Sequence, residues 1–299
     1  MPFVMSRSLR RLAGSLRRPV AGRLARRRSL EERLRWGPPP GWPATRSAAA
    51  PILEAHGLRK SFDGLVAVDG VSLSIRRGSI HALIGPNDAG KTTLLNLLTG
   101  LFAPDEGRVV LEGEDVAGVP AWRLAKRGVG RSFQQACLFW ALSPPDNVQL
   151  ANAVATDATR SLYGSLATEL REDARSLLAR VGLRAHSDDL SAANLSHGDQ
   201  RSLELATALA IRPRLLLLDE PTAGLSPRET KDAVALIRRL VREEDLTLLF
   251  VEHDMEVVFG VADRITVMHH GRVIAEGGPG EITDHPEVRR AYLGDLSVA

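Results

Sequence analysis

Residues 80–98 read IHALIGPNDAGKTTLLNLL. The apolar run Ile80–Ile84 fits a buried strand, Gly85–Thr92 spells G-x-x-x-x-G-K-T, and Thr93–Leu98 continues as a helix. Strand, loop and helix in that order are what a phosphate-binding loop needs. The loop Gly85, Pro86, Asn87, Asp88, Ala89 and Gly90 cradles the phosphates through its backbone N–H groups, which all but Pro86 possess, together with the positive end of the helix dipole. Lys91 reaches the terminal oxygens, Thr92 ligates Mg²⁺, and Thr93 completes the turn. Lys91 is one of only four lysines in the chain. Asp88 is the anomaly, a negative charge inside a loop built for anions. Facing a phosphate about 4 Å away at an effective dielectric of about 20, it would cost roughly 4 kcal/mol per unit charge. Facing outward it costs little, because the loop binds through its backbone and Asp tolerates positive φ.

The second half of such a site lies downstream. LLLLDEP (215–221) is a leucine strand whose end presents Asp219, suited to hold Mg²⁺, and Glu220, suited to orient and polarise water. Further short β-type runs, VSLSI (71–75), GRVVLEG (107–113) and LTLLFVEHD (246–254), alternate with helical ones such as PRETKDAVALIRRL (227–240). Leucine runs without polar alternation suit strands covered on both faces, so the expected class is α/β with a mostly parallel sheet. From about Leu138 to Ser196 the pattern turns helical, with SLATELREDARSLLARVGL (165–183) the clearest case.

The chain has 299 residues, 44% of them apolar, and a single cysteine, Cys137, which excludes an internal disulfide and fits a reducing compartment. No run of about 18 apolar residues occurs, so the chain is not expected to span a membrane. The net charge of +3 is unevenly spread: residues 1–50 hold twelve Arg, no Lys and two Glu, a local +10 that leaves the rest at −7. This extension ends in a Pro/Gly/Ala linker. It reads first as a disordered segment with too little apolar surface to fold. An amphipathic surface segment or an Arg-rich targeting peptide remain open for it. His56, His81, His186, His269, His270 and His285 show no metal-ligand spacing and are expected at surface or packing positions.

A third element, LSHGDQRSLELATALAIRPRLLLLDEPTAGLS (195–226), sets a Ser/Gly helix start just before the acidic strand. With the phosphate loop, this order resembles the ATP-binding subunits of ATP-binding cassette (ABC) transporters, over essentially all of residues 52–296. The resemblance implies a P-loop NTPase of the ABC nucleotide-binding type over 51–299: a mostly parallel sheet core, an antiparallel β part, and a helical subdomain near 138–205. It also assigns roles. Phe62 would stack on adenine, with a core aromatic as the alternative. Gln134, or its neighbour Gln135, would sense Mg²⁺ and the γ-phosphate. Asp219 and Thr92 would serve the metal, Glu220 and His253 the hydrolysis. Ser196 and Gly198 would contact ATP held by a partner subunit, and Pro221–Ser226 would cross the dimer interface. His197 and Asp199 depart from the family's LSGGQ signature, and Ser226 stands where many relatives have Asp or Asn.

With one phosphate loop and one signature, such a chain cannot build a complete ATP site alone. The resemblance therefore implies a homodimer or heterodimer with a second ABC ATPase subunit. It also implies separate transmembrane permease subunits, a substrate-binding protein acting indirectly, and a peripheral place on the cytoplasmic face of the inner membrane. The segment ACLFWALSPPDNV (136–148) would pass motion to the permease, with Cys137 as a small apolar filler. GLVAVDGVSLSI, VEHDMEVVFGVADRITVMHHGRVIAEG and AYLG look most like importers of branched-chain amino acids, a group that also handles urea and small amides. Nucleic acid is not expected as a partner. The competing reading is a soluble ABC-type ATPase on nucleic acid or ribosomes, anchored by the arginine tail. At Asp88, the family's dimer makes tuning of closure the leading reading, ahead of a disabled or a neutral loop.

Overall fold

The computed structural model describes residues 50–132, 138–155, 165–183, 190–243 and 245–293. The chain opens with a long antiparallel hairpin, β1 (Pro51–Phe62) and β2 (Leu65–Arg76). It then enters β3 (Ile80–Ile84), the phosphate loop, and α1 (Lys91–Leu98). β4 (Glu106–Leu111), β5 (Glu114–Asp115), α2 (Ala121–Lys126) and β6 (Val129–Arg131) follow. Next come the helices α3 (Pro144–Ala155), α4 (Ser165–Arg180) and α5 (His197–Ala210). The remainder alternates: β7 (Leu215–Asp219), α6 (Pro227–Glu243), β8 (Thr247–Val251), α7 (Met255–Val261), β9 (Arg264–His269), β10 (Arg272–Gly277), α8 (Pro279–Asp284) and α9 (Pro286–Leu293).

Two sheets result. The first, in order β2-β1-β4-β5, is antiparallel throughout. The second, β10-β9-β3-β8-β7-β6, is parallel from β9 to β6 and closes with antiparallel β10. This is the α/β class, with a parallel core and an antiparallel β part, that the leucine runs and motif order pointed to.

The run Leu215–Leu218 shows why such strands lack polar alternation. Leu216 and Leu218 point into one apolar core and Leu215 and Leu217 into the other. Leu248 and Phe250 of β8 join the first core, Leu249 and Val251 the second. Burying each such side chain contributes about 1.5–3 kcal/mol, so the central strands are held from both faces. The second core also takes Leu94, Leu95, Leu97 and Leu98 of α1, fixing the helix that opens at the phosphate loop.

Among the described residues from 138 to 210 there is no strand, and α3, α4 and α5 pack on one another. The antiparallel part begins earlier than the strand signal at 71–75 suggested. β1 was missed because its run PILEAHGLRKSF breaks the alternation, with register shifts around His56–Lys60 and Gly57 at φ 59°. His81, one of the histidines assigned to surface or packing, is a packing residue: it is fully buried and its Nε2 meets Thr266 Oγ1 at 2.8 Å. No described helix is long and apolar enough to cross a membrane.

Candidate nucleotide site

The strand order places three carboxyl ends side by side. β3, β8 and β7 are consecutive parallel neighbours, so the loop after Ile84, the Glu252–His253 turn and the Asp219–Glu220 turn open on one edge of the sheet. In open parallel sheets that edge is where ligands bind.

The loop is shaped by close backbone approach. A Cβ on Gly85 would fall 2.3 Å from the Met268 carbonyl oxygen, and one on Gly90 would fall 2.2 Å from that of Ala67. Gly90 also takes φ 92° as the residue leading into α1. Among the described residues no side chain caps α1, and its first turn has no acid, so its leading N–H groups are available to an anion. Lys91 is buried, and its Nζ donates to the carbonyls of Gly85 at 2.9 Å and Pro86 at 2.7 Å, which folds the ammonium back over the loop. Burial lowers the Lys91 pKa, while Glu220, Asp219 and Asp88 pull the other way. Thr92 begins the helix beside it, exposed.

Asp88 is exposed and sits at φ 63°, the left-handed region. It thus holds a backbone shape usually given to glycine, in a loop whose Ala89 carbonyl accepts from Gly271 N–H at 3.1 Å.

Asp219 ends β7 almost wholly buried. Among the described residues its Oδ2 has no hydrogen-bond partner, and the cation within ion-pair distance is Arg131 Nη2 at 3.8 Å. Burial pushes the carboxyl above its usual range, and the Arg131 guanidinium opposes this. A buried carboxylate oxygen with no donor among the described residues fits a divalent cation. Glu220 turns out of the strand at φ 51°, and its Oε1 lies 2.8 Å from His253 Nε2.

Two residues that the sequence reading did not single out complete the frame. Arg131 ends β6 with Nη1 donating to Asn96 Oδ1 at 2.6 Å and Thr99 Oγ1 at 3.0 Å, tying α1 to the strand beside Asp219. Glu252 is buried next to His253. Its Oε1 accepts from Thr222 N–H at 2.9 Å and from Thr222 Oγ1 at 2.6 Å, and its Oε2 accepts from the His253 N–H at 3.1 Å. One carboxylate therefore joins the Pro221–Ser226 loop to the His253 turn. The signal available was a glutamate inside VEHD, masked by the more conspicuous histidine.

Phe62 stands at the hairpin tip, 39% exposed, edge-on to Phe102 at 5.4 Å between centroids, with Lys60 Nζ 5.6 Å from its ring. It is a surface aromatic and not the core residue of the alternative reading. Gln134, its alternative Gln135, and Cys137 lie outside the described residues.

Ser196 and Gly198 lie at the start of α5. Ser196 caps α5, and among the described residues no hydrogen bond or ion pair links either to Lys91, Asp219 or Glu220. Among the described residues, then, no hydrogen bond or ion pair joins the phosphate-loop half to the signature half.

A family model described as ABC transporter matches residues 68–223, and one described as branched-chain amino acid ATP-binding cassette transporter matches residues 272–295. The high-affinity branched-chain amino acid transport ATP-binding protein BraF of Pseudomonas aeruginosa is 41% identical over 252 residues, covering 82% of this chain and 98% of that protein. The corresponding protein LivG of Escherichia coli K12 is 40% identical over 253 residues, with the same coverage. A nucleotide-free ATP-binding cassette from an ABC transporter superposes with a TM-score of 0.73 at 30% identity, covering 82% of this chain and 99% of that one. A dimeric bacterial ABC transporter cassette superposes at 0.68 and 27% identity, covering 76% and 98%.

Proposed function

We propose a function from one premise: this chain belongs to the ABC transporter family of ATP-binding subunits. It is an ATPase subunit, and it powers import of branched-chain amino acids, or of a closely related small molecule, through separate permease subunits at the cytoplasmic face of the membrane. The relatives named for branched-chain amino acid transport support the substrate class. They favour an importer over an ATPase serving nucleic acid or ribosomes.

The observation that carries the hydrolytic reading is the convergence of Lys91, Asp219, Glu220 and His253 on one sheet edge around an uncapped helix. In this reading the loop amides and Lys91 bind the triphosphate, and Lys91 exchanges its two carbonyl partners for phosphate oxygens. Phe62 offers its exposed ring to the base. Thr92, Asp219 and Gln134 are the residues to hold Mg²⁺, which when bound neutralises phosphate charge. Glu220 accepts a proton from the attacking water, and the single N–H of a neutral His253 orients that carboxylate, as here, or passes to the terminal phosphate once nucleotide is bound.

Ser196 and Gly198 serve the nucleotide of the facing subunit, which fits the lack, among the described residues, of any hydrogen bond or ion pair from them to Lys91. Residues 51–299 form the nucleotide-binding domain, with 138–205 as its helical subdomain, and residues 1–50 are an extension outside it. Phe139, Trp140 and Leu142 are exposed apolar side chains in the segment assigned to coupling, and they suit docking against a permease. The test is purification of the tagged chain from membranes. Co-purification of permease subunits with ATPase activity is expected. Recovery with nucleic acid and no membrane protein would overturn the reading.

A further inference from the structure

The signature serine is already engaged. Ser196 Oγ donates to Asp199 Oδ2 at 2.7 Å and accepts from the Asp199 N–H at 3.2 Å. A hydroxyl has one proton, so while Asp199 holds it Ser196 cannot donate to another anion.

A second carboxylate reaches the same end of α5 from a different element. Glu229 of α6 accepts the Ser226 N–H on Oε2 at 2.8 Å, and a Cβ on Gly198 would fall 2.8 Å from its Oε1. The nearby cation Arg201 is held by Glu204 at 2.7 Å. The start of this helix favours negative charge, and here the chain supplies that charge itself.

We infer that Asp199 is a positioning residue that keeps the Ser196 hydroxyl withdrawn until the triphosphate held by the facing subunit takes it. The inference rests on the reading that Ser196 serves the partner's nucleotide. Closing the dimer then exchanges the Ser196–Asp199 bond for a Ser196–phosphate bond and leaves the Asp199 charge beside an anion. Both steps raise the ATP concentration needed for closure without touching the phosphate loop. Asparagine at 199 removes the charge and replaces the charge-assisted bond to Ser196 by a weaker neutral one, so it frees the hydroxyl in part, and glutamine restores the residue that the family's signature carries.

The experiment uses the full chain with its cassette partner in the Glu220→Gln background, where slowed hydrolysis should let ATP-bound dimers accumulate. Asp199→Asn and Asp199→Gln should each lower the ATP concentration for half-maximal dimer by about tenfold, the equivalent of one like-charge contact removed. ATP binding by the separated chain should stay the same. With Ser196→Ala already present, the part of the shift due to the hydroxyl should vanish, so Asp199→Asn moves the midpoint less. An unmoved ATP requirement, or an equal shift with and without Ser196, overturns the inference alone. Absence of an ATP-dependent dimer in Glu220→Gln itself overturns both the inference and the composite-site reading beneath it. Melting temperature separates these outcomes from loss of the helix cap, since a purely structural Asp199 would lower stability and leave the ATP midpoint in place.

Discussion

His253 Nε2 lies 2.8 Å from Glu220 Oε1, across the gap between the ends of two adjacent parallel strands. Neither residue gains this geometry from its own strand. Glu220 leaves β7 in the left-handed region, with its N–H on the Val251 carbonyl, and His253 is set by the Glu252 carboxylate behind it. Glu220→Gln keeps the shape and removes the base. Its turnover in the assembled complex should fall by about 10²–10⁴-fold while ATP binding persists. His253→Ala should lower kcat by at least tenfold with a smaller change in KM, since it removes an orienting contact and not the phosphate cradle. Steady-state kinetics on both variants measure this. Unchanged turnover in Glu220→Gln would remove that role.

Asp88 points a charge into solvent from a loop that binds by its backbone, although Lys91 still feels that charge. Asp88→Gly should leave the ATP affinity of the single chain within about threefold, well under the tenfold that 1.4 kcal/mol would give. It should change ATP-dependent dimerisation or turnover. A large gain in single-chain affinity, read by nucleotide titration, would show that the carboxylate faces the phosphates.

Thr222 and Glu252 are buried partners, and removing one strands the other. Thr222→Ala removes the hydroxyl donor, leaves Glu252 Oε1 with the backbone N–H alone, and should cost about 1–3 kcal/mol in denaturant unfolding. It should also lower turnover, because the same carboxylate sets the His253 backbone. Thr222→Ser, which restores the hydroxyl, should recover most of both.

His81 gives the fold a pH dependence. Complete burial drives its pKa down to about 3 from the usual 6.5, with Arg264 and Arg76 adding to the effect. The folded state resists protonating a ring that the unfolded chain protonates readily. Its contribution is therefore fully present above pH 6.5 and declines as pH falls toward 3. The loss is about 1.4 kcal/mol for each pH unit in that window. Urea unfolding at pH 7 and pH 5 should show the decline in the parent chain and a flatter profile in His81→Gln.

The features legible in the sequence were those whose function needs a fixed spacing. Gly85, Gly90 and Lys91 are dictated by local backbone geometry, and the double-faced leucines of β7 by burial on both sides, so each left a mark within a few residues. Arg131 left none and Glu252 only a letter inside VEHD, because their meaning depends on which strands become neighbours. Arg131 matters through Asn96, Thr99 and Asp219, and Glu252 through Thr222, thirty residues away. The strand β1 was hidden for a related reason: its irregular pattern makes sense only against the shifts in its pairing with β2 and β4. Departures from a familiar motif, by contrast, were visible at once. Asp199 stood out by letter, and only the structure showed which hydroxyl it holds.

The central claim is that ATP hydrolysis at Glu220 drives uptake of a branched-chain amino acid through partner permeases. Its most direct measurement is labelled leucine accumulation in proteoliposomes carrying the complete transporter, with ATP supplied on the cassette side. Accumulation should require ATP and fall to background when this chain carries Glu220→Gln, with the complex still assembled. Accumulation that persists in that variant at the parental rate would contradict the account.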